Sequence, residues 1–161
     1  MIIFRKMEEH EYNDWVKHSV LSYAEDMVSA GTWSQSEAQE RSDKEFHSLL
    51  TNDLATLGHT ILVAENGEAT PVGIIWYLKK DATCAYIADF IVYNQFRRKG
   101  YGAAIILELE SRVKSEGLSV IELHVFTHNK SAIALYKKCG YNVTKDTGSG
   151  GMFMEKQIIV L

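Results

Sequence analysis

The sequence predicts a mixed α/β fold: a central, mostly antiparallel sheet of about seven strands with helices on both faces. Three observations lead there. Apolar residues recur at helical spacing over the first third of the chain, change to runs of strand character from residue 60 to residue 93, and then alternate between strand and helix. A meander of antiparallel strands followed by β-α-β-α-β makes a mixed sheet, because parallel neighbours need a crossover connection. The length of 161 residues, with 46% hydrophobic and 24% charged residues and one proline, suits one globular domain spanning 1–161 whose core needs neither disulfides nor a structural metal.

The elements follow in order. Met1 to Phe4 reads as a short strand. Tyr12, Trp15, Val16, Val20, Tyr23 and Met27 have helical spacing, and Gly31 closes that helix as a C-cap. Ser34-Gln35-Ser36-Glu37 has capping-box spacing and announces a second helix whose apolar face is Phe46, Leu49, Leu50, Leu54 and Leu57, ended by Gly58. Thr60–Ala64 and Val72–Leu78 flank Asn66-Gly67 as a hairpin. Ala85–Tyr93 is a third strand, apolar except for Asp89. A helix from about Tyr101 to Glu116 carries Ile106, Leu109 and Val113 on one stripe, and Gly117 ends it. Val120–Phe126 is a strand, and Asn129 caps a helix that runs to Cys139 and stops at Gly140. Two final strands lie around Tyr141–Lys145 and Met152–Ile159.

Composition narrows the function. The net charge of −4 argues against a duplex nucleic-acid binder that lives on phosphate neutralisation. That value averages two unlike parts, since residues 1–60 hold 11 acids and 5 bases whereas residues 61–161 hold 10 acids and 12 bases. Two distant cysteines, charged residues close behind the N-terminus and the lack of a long apolar run indicate a cytoplasmic protein that is not bound to a membrane.

Two segments can carry chemistry. Arg97-Arg98-Lys99-Gly100-Tyr101-Gly102 lies between a strand and a helix, where free N–H groups, the helix dipole and three cations suit a phosphate group; as an isolated motif it is equally a basic turn. Ala103 and Ala104 after Gly102 exclude G-K-[ST], and Ile105 stands where a dinucleotide fingerprint needs its third glycine. Asn129 and Tyr136 are seven residues apart, two helical turns, and project from one side of a helix; the alternative is a cap plus a packed aromatic. His124 and His128 have no third partner for zinc, so no metal is expected.

Together the two segments, R-x-x-G-x-G and then N-x-x-A-x-x-x-Y-x-x-x-G-Y, resemble the GNAT superfamily of N-acetyltransferases over about residues 60–145. Tyr23-Ala24-Glu25-Asp26 with Gly31-Thr32-Trp33 is similar to a bacterial subgroup of poorly defined acceptor. The resemblance implies acetyl-CoA as co-substrate. Arg97, Gly100 and Gly102, with Arg98, Lys99, Tyr101 and Ala103 beside them, would hold the pyrophosphate; Ile91 and Val92 would pair with the pantetheine arm; Asn129, Ala132 and Tyr136 would stand near the pantetheine and sulfur. It also implies a small-molecule or protein amine as acceptor, and a homodimer is plausible from the family alone. The expected chemistry is direct attack of the amine on the thioester, with Tyr136 as general acid. For the base, Asp89, Glu122, His124 and an ordered water remain open, since Cys84, Ala85 and Tyr86 stand where some members carry a glutamate. The acidic N-terminal helices point to a cationic acceptor. A non-catalytic acyl-CoA sensor of the same fold is the alternative.

Overall fold

The computed structural model describes residues 1–158. Its chain order is β1 (Ile3–Lys6), α1 (Glu9–Ser29), α2 (Ala38–Leu49), β2 (His59–Glu65), β3 (Pro71–Lys79), β4 (Cys84–Val92), α3 (Tyr101–Ser115), β5 (Val120–Phe126), α4 (Lys130–Lys138), β6 (Asn142–Asp146) and β7 (Gly151–Gln157). The predicted end of the last strand, Ile159, lies outside the described residues.

Local chemistry explains where the helices start and stop. Glu8 caps α1 in a reciprocal box with Glu11. Past α1, Gly31 at φ +78° lets its N–H reach Val28 O while the Thr32 N–H reaches Met27 O, the paired bonds of a Schellman ending. The second helix is shorter than its apolar pattern suggests. Leu50 leaves the helical region at ψ 68°, and Thr56 Oγ accepts the Asn52 N–H while donating to Asp53 O, so Leu54 falls in a separate turn, Asp53–Ala55, and Leu57 lies beyond it. Leu57 is 94% exposed and Leu49 is 47% exposed, which corrects the expectation that both face the core. Helical periodicity continued past a point where local side-chain bonds had already turned the backbone.

One seven-stranded sheet has the order β1-β2-β3-β4-β5-β7-β6. All neighbours are antiparallel except β4 and β5. The last strand inserts between β5 and β6, an arrangement that periodicity does not reveal. Side chains alternate between two packed faces. Ile61, Val63, Ile74 and Trp76 meet Trp15, Val20 and Phe46 of α1 and α2, whereas Leu62, Ile75 and Tyr77 share the opposite core with Ile106, Leu109 and Val113 of α3.

Two irregularities of β4 make room for a site. Trp76 pairs with Asp89 and Tyr77 with Ile87, leaving Ala88 as an extra residue, a β-bulge. The register beyond the bulge places Asp89 opposite Trp76, on the face covered by α1; unbroken alternation would have turned it away. Pairing between β4 and β5 covers only Cys84–Ile87 against Val120–Leu123. Beyond Ile87 the two parallel strands part company.

Candidate active site

The parted strands open onto a cleft of about 1110 Å³ lined by β4, β5, α1, α2, α4 and the start of α3. Along it the β5-facing side of residues 88–92 has no ladder partner in β5; the Phe90 N–H turns to Asp89 Oδ1 and Val92 O accepts from Arg97 Nε, and the polar groups that remain on that edge are open to an extended ligand. Ile91 and Val92 lie in this stretch and line the cleft.

Asp89 stands at the seam. Its Oδ2 accepts hydrogen bonds from Trp15 Nε1 and Ser19 Oγ, each at 3.0 Å, and its Oδ1 accepts the Phe90 N–H at 3.0 Å. Burial raises its pKa above the usual carboxylate value, and the three donors together with the nearby His18 only partly oppose that. Tyr136 faces the same space from α4, 6% exposed, its ring 6.5 Å from Phe90 and 5.9 Å from Tyr141. Burial first, and the charge of Asp89 second, raise its hydroxyl well above an ordinary phenol. Tyr136 therefore stays protonated.

One end of the cleft is basic and made largely of backbone. The first intrahelical bond of α3 runs from the Ala104 N–H to Gly100 O, so the N–H groups of Tyr101, Gly102 and Ala103 have no acceptor within the helix. Gly100 adopts φ +85°, a left-handed conformation that a side chain would strain. Gly102 serves another purpose: a Cβ there would sit 3.0 Å from Leu135 Cδ2, so the absent side chain lets α3 approach α4. Arg97 Nε donates to Val92 O at 2.9 Å, bracing the turn against β4 while leaving its other nitrogens free to donate. Arg97, Arg98, Gly100, Gly102 and Ala103 all line the cleft. Lys99 instead lies over the Phe96 ring at 6.0 Å, and Tyr101 packs edge-on against Phe96 and takes a bond from Asn66 Nδ2.

On α4, Asn129 and Tyr136 do face the cleft together, with Ala132 between them. Asn129 Oδ1 also accepts the Ala132 N–H at 3.2 Å, so this residue is both helix cap and cleft wall. Glu122 is placed differently. It lies in the paired part of β5 opposite Tyr86, and Lys80 Nζ donates to it at 2.8 Å. The cleft lining does not include it.

The other end is aromatic and acidic. Tyr23, Phe126, His124 and Phe153 form a run of ring contacts with centroids 5.1–6.3 Å apart. Burial lowers the pKa of His124 below that of an ordinary imidazole, and its ring leans over Gly151, where any Cβ would collide with it. Asp26 and Glu45 add carboxylates. Asp26 is joined to His128 Nε2 at 2.9 Å, a link from α1 to the loop between β5 and α4. Burial and the Glu122 charge push the Tyr86 hydroxyl up to about 12. The motifs pointed to none of Trp15, Ser19, Tyr86 or Phe153. A signal for the first two existed: they are i and i+4 on one helix face, with Ser19 a polar residue on an apolar stripe.

A mixed sheet whose central parallel pair separates over the N-terminus of a helix frames this cleft, and comparison with known families assigns the fold. The acetyltransferase (GNAT) family matches residues 21–141, and the chain belongs to that family. Among its relatives, YycN of Bacillus subtilis strain 168, an uncharacterised N-acetyltransferase, is 32% identical over 146 residues, covering 89% of this chain and 94% of that protein. YdgE of the same organism, also an uncharacterised N-acetyltransferase, is 30% identical, covering 86% and 90%. The crystal structure of Bacillus subtilis YycN superposes with a TM-score of 0.87 over 91% of this chain and 96% of that one, at 31% identity.

Proposed function

We propose that the protein, acting as a single domain, transfers the acetyl group of acetyl-CoA to a primary amine of a small molecule or protein. One observation carries the reading: an unpaired strand edge, a helix N-terminus, the buried carboxyl of Asp89 and the buried phenol of Tyr136 line the same cleft. The backbone of residues 88–92 pairs with the pantetheine arm, and the N–H groups of Tyr101, Gly102 and Ala103 with Arg97 and Arg98 hold the pyrophosphate. Asp89 takes a proton from the arriving ammonium group. The neutral nitrogen then forms a C–N bond to the thioester carbon. The C–S bond breaks with its electron pair on sulfur, and Tyr136 supplies the proton as that charge develops, regaining one from the nitrogen. Aromatic rings and the carboxylates of Asp26 and Glu45 favour a cationic over an anionic acceptor.

The test is thiol release from acetyl-CoA over a panel of cationic, neutral and anionic amines and peptide N-termini. Release with at least one cationic amine, faster than with its anionic counterparts, is expected. Tight acetyl-CoA binding with no release for any acceptor would replace the enzyme by an acyl-CoA sensor.

A further inference from the structure

Two features of α1 remain unused by packing alone. A serine inside a helix commonly bonds back to the carbonyl four residues earlier. Ser19 does not; its hydroxyl, 4% exposed yet on the cleft wall, donates to Asp89. Trp15, one turn earlier on the same face, spends its single N–H on the same oxygen. A carboxylate offers about four lone-pair sites, two on each oxygen. Oδ2 is thereby filled, and Oδ1, which holds only the Phe90 N–H, retains one.

We propose that helix α1 positions Asp89 as a one-sided proton acceptor: Ser19 and Trp15 occupy Oδ2, and the lone pair left on Oδ1 receives the proton of the incoming ammonium group. The inference rests on the reading of Asp89 as the base. An N–H bond of the ammonium breaks with its pair left on nitrogen, an O–H bond forms at Oδ1, and the neutral carboxyl later returns that proton to solvent. Ser19 and Trp15 are positioning residues. They fix which oxygen reacts and, by donating to the ionised form, limit how far burial raises its basicity. Other groups share the space: His18 and Tyr23 on α1, Glu45 on α2, Tyr86 on β4, His124 on β5 and Tyr136 on α4. The Trp15–Ser19 grip is the only direct side-chain hydrogen bonding to Asp89 among the described residues.

The experiment compares wild type, Ser19→Ala, Ser19→Thr and Asp89→Asn in two readouts. One is the pH profile of kcat/KM with acetyl-CoA and an amine active in the thiol-release panel. The other is the carbon-13 titration of the Asp89 carboxyl carbon in the free protein, which needs no acceptor. Ser19→Ala is expected to move both the acidic limb and the carboxyl midpoint upward by about half to one pH unit, the effect of losing one hydrogen bond to the charged form. Ser19→Thr keeps a hydroxyl and restores both. Asp89→Asn abolishes the limb together with most of the activity. An Asp89→Asn enzyme with wild-type rate and profile would overturn Asp89 as base. A carboxyl midpoint unmoved in Ser19→Ala, with Asp89→Asn inactive, would overturn the positioning role and leave the base standing.

Discussion

The two ends of the cleft are made of different materials. The end at α3 is mostly backbone: free N–H groups, a glycine at φ +85° and an unpaired strand edge, with arginines around them. The end at α1 and α2 is mostly side chain: aromatic rings, two carboxylates and histidines. A backbone site accepts few sequences, because only some residues permit its dihedrals and close approaches. A side-chain site can be rebuilt residue by residue on the same scaffold. One end is suited to a constant ligand, and the other to whatever acceptor selection favours.

Substitutions at the seam, where the two ends meet, have the largest expected effect. Tyr136→Phe should lower kcat by roughly 10²-fold or more, the scale of a lost proton donor, with the KM for acetyl-CoA little changed; steady-state kinetics checks both, and an undiminished kcat would remove Tyr136 from the chemistry. At the basic end, Arg98→Ala should raise the KM for acetyl-CoA by about tenfold, the scale of one charge-assisted hydrogen bond, and spare the KM for the amine. The increase should shrink with added salt. An equal change in both KM values would erase the distinction between the ends. Gly100→Ala should cost about 1–2 kcal/mol in denaturant unfolding because it places a side chain at positive φ.

A smaller effect tests how the start of α1 is tied to β1, away from the cleft. Arg5 holds Glu11 through two hydrogen bonds of 2.8 and 2.9 Å, which lowers the Glu11 pKa to about 2, the Arg5 bonds being the largest cause. A carboxylate depressed in the folded state stabilises it above its unfolded pKa and ceases to do so as pH falls toward 2. Glu11→Gln should therefore destabilise by about 1 kcal/mol at pH 7, the scale of a partly exposed pair. Thermal melts should show the gap closing between pH 4.5 and 2.

How much of this was legible in the sequence follows the same division. The motif spacing of Gly100, Gly102, Asn129 and Tyr136 puts them together, and all four line the cleft, although Gly102 also makes way for Leu135. Asp89 stood out as one acid in an apolar strand. Its partners did not, since the Trp15–Asp89 and Ser19–Asp89 contacts span 74 and 70 residues and depend on a bulge that alternation cannot announce. Glu122 alternates onto the same face of β5 as His124 and Phe126, but it lies on the closed side of the point where β4 and β5 separate. Leu57 was misplaced because a period of 3.6 residues does not encode where a helix stops.

By count, Ala88 is one residue more than the ladder with β3 needs. Aligned against a regular strand it is a superfluous letter, a position to be gapped out. In the molecule it is a joint: β4 gains length there without a partner on β3, bends, and at the preceding residue gives up β5. Cutting it out would leave Ile87 facing Tyr77 and Asp89 facing Trp76, every functional side chain on its proper face, while the straightened strand could stay zipped to β5. Such a chain would possess all of its chemistry and no door to it.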